Sequence, residues 1–167
     1  MVSRGLYEHA AALQRTLREA TRPAPLATHL AETPEEREFV MHGAGPQREM
    51  LERLGVWDDS ILDDVGRGSH PVKHLESVLE SVPALVAHVN DADDASIDIL
   101  ARTGTSVVYC PHASEYFGAA NHFGPHRYRE MLGAGVNVAV GTDSIVNLPA
   151  GSARMPERGV ELDRASG

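Results

Sequence analysis

Residues 25–34 read PLATHLAETP, a short apolar run that ends in His29 and is followed by a helix start. Two further apolar runs end in the same way, in Ala87-His88 and in Gly141-Thr142-Asp143. Helix-like segments separate the three runs, so the strands are expected to be parallel and to end on one face of the fold. His29, His88 and Asp143 would then converge. Two imidazoles and a carboxylate are suitable ligands for a catalytic metal.

Helical and strand-like periodicities alternate along the rest of the chain. Helices are predicted from Ser3 to about Ala20, Thr33 to His42, Gly45 to Leu54, Ser69 to about Glu80, Asp91 to Arg102 and Pro125 to Leu132. Strands are predicted to end at His29, His88, Tyr109 and Val140, with loops from Trp57 to Gly68 and from Cys110 to Ser114. This alternation predicts an α/β fold of parallel β/α units in residues 1–149, followed by an irregular tail over residues 150–167.

Composition places the chain among ordinary globular domains and argues against several partners. A chain of 167 residues can form one domain with a core, and with only 5% aromatic residues that core would be aliphatic. The net charge of −9, without a cluster of Lys and Arg, argues against nucleic acid or an anionic membrane as a partner. No apolar run reaches the roughly 20 residues that span a bilayer. Cys110 is the one cysteine, so no intrachain disulfide can form and a reducing cytoplasm is the expected location.

The pair His29 and Glu32 carries the sharpest chemical signal. The spacing H-x-x-E after a strand lets His29 bind a metal while Glu32 faces the same pocket. There a carboxylate can accept a proton from an activated water and pass it to a leaving group. The alternative is structural, with His29 as a polar strand end and Glu32 as part of a helix cap. Thr33 and Glu36 already form a capping box one residue later, which favours the functional interpretation.

His88 and Asp143 have structural alternatives as well. A lone histidine at the end of an apolar strand is often a hydrogen-bonded core residue. Asp143, after Gly141 and Thr142, could cap whatever follows the last strand. Each signal is weak alone, and the equivalent positions of the residues at strand ends are what favour a site.

Three other features rank lower as functional candidates. His70 and His74 have the i, i+4 spacing of a metal-binding pair, but a solvated helix face is preferred because no carboxylate lies at a fitting offset. Three histidines after the third strand could line a substrate pocket, namely His112, His122 and His126. Cys110 has no basic neighbour in sequence and is interpreted as a buried structural thiol.

Four ordered motifs carry a family resemblance. They are THLAET at residues 28–33, AHVN at 87–90, VVYCPHAS at 107–114 and GTDS at 141–144. Together they resemble the second half of the amidohydrolase superfamily, in the branch of cytosine and guanine deaminases, chlorohydrolases and S-adenosylhomocysteine deaminases. The resemblance covers residues 3–149. It implies a metal-dependent (β/α)8 barrel of the TIM type, of which this chain would supply strands 5–8.

The resemblance also implies a role for each site residue. His29 would be a metal ligand, Glu32 the acid/base that passes a proton to a ring nitrogen, and His88 the residue that orients the water or polarises the substrate. Asp143 would bind the metal and take a proton from the water. The implied reaction is hydrolytic deamination, by metal-activated water, of a small purine-like or pyrimidine-like heterocycle. Zinc is the expected metal, with iron and manganese as alternatives.

The H-x-H pair that the family carries on its first strand occurs nowhere in this sequence. The chain is therefore expected to be a fragment of a hydrolase of this family that contains one half of the barrel. A half barrel has two open sheet edges, so self-association through those edges is expected. Two alternatives stay open: an inactive remnant, or a stand-alone half barrel in which His29, His88 and Asp143 bind a metal or a small molecule.

Overall fold

A computed structural model of the chain describes residues 3–19 and 25–144, which contain one four-stranded parallel sheet. The strands, in chain order and side by side, are β1 (Leu26–Leu30), β2 (Ala84–His88), β3 (Ser106–Tyr109) and β4 (Val138–Val140). Thr28 pairs with Val86, Val86 with Val107 and Val107 with Val138. Because all four strands run the same way, their carboxyl ends form one rim. The parallel α/β arrangement is confirmed, and the predicted tail over residues 150–167 lies outside the described residues.

Helices are more numerous than predicted within the described ranges. The α-helices are α1 (Arg4–Glu19), α2 (Pro34–His42), α3 (Pro46–Arg53), α4 (Pro71–His74), α5 (Glu76–Ser81), α6 (Asp94–Thr103), α7 (Pro111–Tyr116), α8 (Ala119–Phe123) and α9 (Tyr128–Gly133). A 3-10 helix spans Asp59–Asp63, inside the segment predicted as a loop. α8 was not predicted, and α9 begins after the predicted start at Pro125. None of the helices described is long and apolar enough to cross a membrane.

Two further predictions of secondary structure are wrong for identifiable reasons. The helix predicted over Ser69 to Glu80 is divided at Leu75, whose φ of −93° and ψ of 3° end α4 and precede α5. The segment Cys110 to Ser114, predicted as a loop, instead begins α7. Pro111 fits the first turn of a helix, where its backbone nitrogen needs no hydrogen bond.

The predicted helix start after β1 is confirmed. Thr33 is the N-cap of α2, and its Oγ1 accepts a hydrogen bond from the amide of Glu36 at 3.2 Å. Pro34 occupies the first turn, and Gly43 ends the helix with a φ of 62°, in the left-handed region that favours glycine. The short connection between β1 and α2 keeps Glu32 at the rim of the sheet.

Helices cover one face of the sheet and form the core with it. Val86 and Val107 are fully buried there, in one cluster with Leu100 of α6 and Met131 of α9. Tyr7 of α1 is the one aromatic member of that cluster among the described residues. The core is therefore aliphatic, as the composition predicts.

The opposite face of the sheet carries apolar side chains. Ala27, Leu85, Ala87 and Val108 line a hollow of about 330 Å³ that reaches the rim at His29. In a closed barrel of parallel strands this face would point inward. The four-stranded sheet is thus compatible with part of a TIM barrel.

Candidate metal and acid/base site

The rim of the sheet brings three predicted metal ligands together. One ligand atom from each of His29, His88 and Asp143 lies within 4.8 Å of the others. The rings of His29 and His88 are stacked, with centroids 5.1 Å apart and 21° between their planes. Metal–ligand distances are about 2 Å, so one divalent ion could contact all three groups after small side-chain rotations.

Glu32 lies beside this cluster, between β1 and α2. Its Oε1 is 3.5 Å from Nε2 of His88, and its side chain is partly exposed. Burial raises the pKa of the Glu32 carboxyl above its usual value, while His29 opposes the rise and Asp143 adds to it. A carboxyl whose pKa is raised toward neutrality can both take up and release a proton during a reaction.

His88 ends β2 in a conformation that few residues adopt. Its φ is 73° and that of the following Val89 is 52°. Both angles lie in the left-handed region, where a β-branched side chain is strained. His88 is 1% exposed, and its Nδ1 has no hydrogen-bond partner within the part of the chain that the structure describes. A core histidine held by hydrogen bonds, the structural alternative, would have a partner there.

The surroundings of His88 hold it in place and favour its neutral form. Nε2 of His126 donates a hydrogen bond to the carbonyl oxygen of His88 at 2.8 Å, and the His126 ring stacks on Tyr109. Burial lowers the pKa of His88, His29 lowers it further, and Asp143 opposes the change. A neutral imidazole keeps a lone pair that a metal or a hydrogen-bond donor can use.

Asp143 follows β4 just after a close approach to β3. The amide of Gly141 donates to the carbonyl of Tyr109 at 2.8 Å. A Cβ at Gly141 would lie 2.6 Å from Cγ1 of Val108 and 2.9 Å from Sγ of Cys110, so only glycine fits without a shift. Asp143 itself has a φ of 55°. Residues beyond 144 lie outside the described part, so the capping alternative for Asp143 stays a prediction.

The pair His70 and His74 does not lie on a solvated helix face, and that prediction is wrong. His70 Nε2 is 3.0 Å from Asp91 Oδ2, and His74 Nε2 is 3.6 Å from Asp64 Oδ1. Both imidazoles are largely buried, because α4 packs against α2 and α6. Their carboxylate partners are distant in sequence, where no local spacing reveals them. Each histidine has its own carboxylate, and neither joins the cluster at the rim.

The remaining lower-ranked candidates are divided between the surface and the interior. His112 on α7 and His122 on α8 are exposed, whereas His126 is the residue that bonds to the end of β2. Their part in a substrate pocket stays a prediction. Cys110 is buried, as predicted, and burial raises the pKa of its thiol.

Two contacts of Glu32 were not predicted from the sequence, one with Asn90 and one with Glu36, which was predicted only as part of a capping box. Asn90 stands in the AHVN motif, and its Nδ2 donates to the carbonyl oxygen of Glu32 at 3.1 Å. The carboxylate of Glu36 accepts from the amides of Ala31 and Glu32, at 3.1 and 2.7 Å. The only sequence feature that could have pointed to Asn90 was its position in the AHVN motif. Its partner is 58 residues away, so no local rule could identify the contact.

No family model matches the chain. Comparison with known proteins nevertheless identifies relatives. The chain is 32% identical over 137 residues to the aminodeoxyfutalosine deaminase of Deinococcus radiodurans, a match that covers 74% of this chain and 29% of that protein. It is 35% identical over 84 residues to the 5-methylthioadenosine/S-adenosylhomocysteine deaminase of Haloarcula marismortui, a match that covers 50% of this chain and 18% of that protein.

A solved structure supports the fold. The guanine deaminase of C. acetobutylicum, determined with guanine bound in its active site, superposes with a TM-score of 0.52 at 21% identity. The match covers 85% of this chain and 27% of that chain. The chain thus spans less than a third of the length of these relatives, which fits the C-terminal half that the motifs predict. The resemblance is confirmed: the chain is a homologue of the amidohydrolase-superfamily deaminases.

Proposed function

We propose that this chain is part of a metal-dependent deaminase that hydrolyses a carbon–nitrogen bond of an amino-substituted heterocycle. The convergence of His29, His88 and Asp143, with Glu32 beside them, carries the proposal. Homology to two kinds of deaminase supports the reaction type. In this proposal residues 1–149 belong to a barrel domain, and β1–β4 correspond to its fifth to eighth strands.

The donor set fits a divalent metal. We assign His29 and Asp143 as ligands, with His88 within reach of the same ion. The buried Nδ1 of His88 has no partner among the described residues, and burial keeps the ring neutral, as a nitrogen donor requires. Zinc is our first choice, and iron and manganese accept the same ligands. A bound metal would supply Lewis acidity, which lowers the pKa of a coordinated water.

We assign proton transfer to Glu32. Its raised pKa lets the carboxyl give a proton to a ring nitrogen and recover one afterwards. The oxygen of water forms the new bond to the ring carbon, and a proton of that water passes to Asp143. Asp143 then gives this proton to the amino group, the carbon–nitrogen bond breaks and ammonia leaves, while Glu32 takes the remaining hydroxyl proton as the carbonyl group forms. His88, fixed by His126, orients the water or the substrate. Water and amine are thereby converted to a carbonyl group and ammonia.

A second candidate is a stand-alone half barrel that binds a metal or a small molecule. The observation that favours it is that three donor groups of this one chain already converge. The sequence also lacks the H-x-H pair that the family adds from its first strand. Both candidates predict metal binding, and only the first predicts turnover.

Metal binding is the first test of both candidates. Calorimetric titration of the metal-free chain with Zn²⁺, Mn²⁺ and anaerobic Fe²⁺ should show one site, and Asp143→Ala should abolish it. Asp98→Ala is a matched control, because Asp98 is an exposed carboxylate of α6 that does not belong to the cluster. Binding that is equal in all three proteins would contradict the assigned ligands.

Turnover separates the two candidates. The metal-loaded chain is incubated with a panel of aminopurines and aminopyrimidines, and ammonia release is measured. Glu32→Gln should lower kcat by about 10²- to 10⁴-fold while metal stays bound. Glu35→Gln, an exposed neighbour in the first turn of α2, should leave kcat unchanged. A metal-loaded chain without turnover would leave the binding half barrel as the better account.

A further inference from the structure

Buried polar side chains hold the backbone on both sides of Glu32. The carboxylate of Glu36 accepts two hydrogen bonds, from the amide of Ala31 to Oε1 at 3.1 Å and from the amide of Glu32 to Oε2 at 2.7 Å. The amide side chain of Asn90 donates to the carbonyl oxygen of Glu32 at 3.1 Å. Both Glu36 and Asn90 are buried. The backbone N–H and C=O of Glu32 are therefore each held by a side chain.

Glu36 has a different task from the one its position in the sequence suggests. In a capping box, the third helical residue would accept from the amide of the N-cap. Here Thr33 alone caps α2, and Glu36 reaches past it to the two preceding amides. Burial raises the pKa of the Glu36 carboxyl, whereas the two amides lower it. A buried carboxylate is costly unless such bonds satisfy it, so the contact with Ala31 and Glu32 is a specific feature.

The backbone held by Glu36 is strained. Ala31 has a φ of 52°, in the left-handed region that an alanine avoids. Relaxation of Ala31 to a negative φ would turn the next residue, Glu32, away from His88. The hydrogen bonds to Glu36 oppose that relaxation, because they fix the amides on both sides of the Ala31 torsions.

Asn90 connects this segment to the end of β2. The amide of Val89 donates to the carbonyl of Leu30, and the amide of Asp91 donates to the carbonyl of Ala31, both at 3.0 Å. Asp91 is itself paired with His70, whose Nε2 is 3.0 Å from Oδ2. Asn90 therefore projects from an anchored loop. Its hydrogen bond to the carbonyl oxygen of Glu32 fixes the position of Glu32 relative to His88.

We propose that Glu36 and Asn90 are positioning residues that hold the Glu32 carboxyl against His88 at the rim. Neither residue is assigned contact with substrate or metal. The hydrogen bonds of Glu36 and Asn90 support this positioning. Its catalytic consequence rests on the proposed deaminase function. Their loss should therefore lower kcat more than it changes KM, because the carboxyl that moves the proton is misplaced while the other site residues stay.

The test uses two variants and one matched control. Glu36→Gln keeps the size of the side chain but leaves one of the two amides without an acceptor. Asn90→Leu keeps the volume and removes the donor to Glu32. Thr105→Val is the control, because Thr105 is equally buried and loses one side-chain hydrogen bond, to Thr103, away from the rim.

The first readout is independent of activity. Amide hydrogen exchange of the full chain, followed by NMR, should show protection at Ala31 and Glu32 falling by about tenfold or more in Glu36→Gln, beyond any change in Thr105→Val. In Asn90→Leu the carbonyl carbon resonance of Glu32 should shift. The inference would be overturned if amide protection in Glu36→Gln and the Glu32 carbonyl resonance in Asn90→Leu both matched those of Thr105→Val. This outcome does not depend on whether the chain is a deaminase.

The second readout applies if the unmodified chain turns over a heterocycle. Both variants should then lower kcat by about tenfold or more with KM changed less than about threefold. A kcat within about twofold of the unmodified chain would overturn the positioning role while the deaminase proposal stands. If the unmodified chain has no turnover, the proposed function fails on this chain and the exchange measurement alone decides the inference.

Discussion

The left-handed backbone at His88 and Val89 is a costly local feature, because two residues in succession have a positive φ. A non-glycine residue in this region costs about 1–2 kcal/mol, and two such residues follow one another here. The structure retains them with the bond from His126 to the carbonyl of His88 and the bond from the amide of Val89 to Leu30. No propensity scale predicts this conformation, because it is imposed by contacts from distant segments.

The burial of His74 predicts acid sensitivity of the fold. Burial lowers the pKa of His74 below its usual 6.5, with Arg4 lowering it and Asp64 raising it to smaller extents. The unfolded chain then takes up a proton at a higher pH than the folded chain does. The free energy of unfolding should therefore fall as pH is lowered from 7 through the depressed pKa. His74→Gln should show a smaller fall in urea unfolding measured between pH 7 and pH 5.

Other buried histidines and an exposed control define how much of the acid sensitivity belongs to His74. His88 and His126 also have pKa values lowered by burial, so His74→Gln should retain part of the acid sensitivity. His9→Gln, a change of an exposed histidine on α1, serves as the control and should follow the unmodified chain. An identical pH dependence in His74→Gln and His9→Gln would show that His74 does not contribute.

At the scale of secondary-structure elements, the contact between β4 and β3 depends on Gly141. A methyl group there would approach Cγ1 of Val108 and Sγ of Cys110 at distances that no Cβ tolerates. Gly141→Ala should therefore lower the free energy of unfolding by about 1–3 kcal/mol, the usual cost of overpacking. Because the shift also displaces Asp143, the increase in melting temperature caused by Zn²⁺ should become smaller.

Gly133→Ala is the matched control for this change. Gly133 is the last residue of α9, is exposed and has no neighbouring atom within 4 Å of the point where a methyl group would lie, so alanine should be neutral or stabilise by about 0.4–1 kcal/mol. Differential scanning calorimetry of both variants, with and without Zn²⁺, gives the comparison. Equal stability of the two variants would mean that β4 adjusts to the methyl group without cost.

The elements that the sequence predicted correctly are those with local signals at their ends. Thr33 and Pro34 identify the start of α2, and Gly104 identifies the end of α6, where it adopts a φ of 65°. The break at Leu75 could not be predicted, because no glycine or proline marks it. Pro111 suits a loop and a first helical turn equally well, so its local signal is ambiguous.

At the scale of the whole molecule, the outer edge of β4 predicts self-association. In the described ranges β1 and β4 are the edges of the sheet, and Val140 on β4 is 77% exposed. An edge strand with exposed apolar residues can pair with another chain, and a lysine opposes such pairing. Val140→Lys should therefore lower the fraction of oligomer measured by sedimentation velocity over a range of concentrations.

A second apolar surface provides the control for this experiment. Leu54, the C-cap of α3, is 64% exposed and is not part of the sheet. Leu54→Lys should leave association unchanged if pairing occurs through β4. The opposite result, with Leu54→Lys dissociating the oligomer and Val140→Lys having no effect, would place the contact on the α3 surface.

The site was predictable to the extent that it follows from the parallel topology. His29, His88 and Asp143 each follow an apolar run, and parallel strands necessarily bring such residues to one rim. The buried environment of His70 and His74 was not predictable, because it depends on how α4 packs against other helices. Periodicity identifies which residues end a strand, but only tertiary packing decides which polar side chains meet.

The bonds between the segments after β1 and β2 have a consequence for where this chain tolerates insertions. Residues 30–32 and 89–91 are joined by hydrogen bonds from Val89, Asn90 and Asp91, so an added residue in either segment would shift this register. Around Gly55 the backbone is exposed and its bonds stay within the end of α3. Changes in chain length are therefore expected to be accepted near Gly55 and rejected at the two segments beside the cluster.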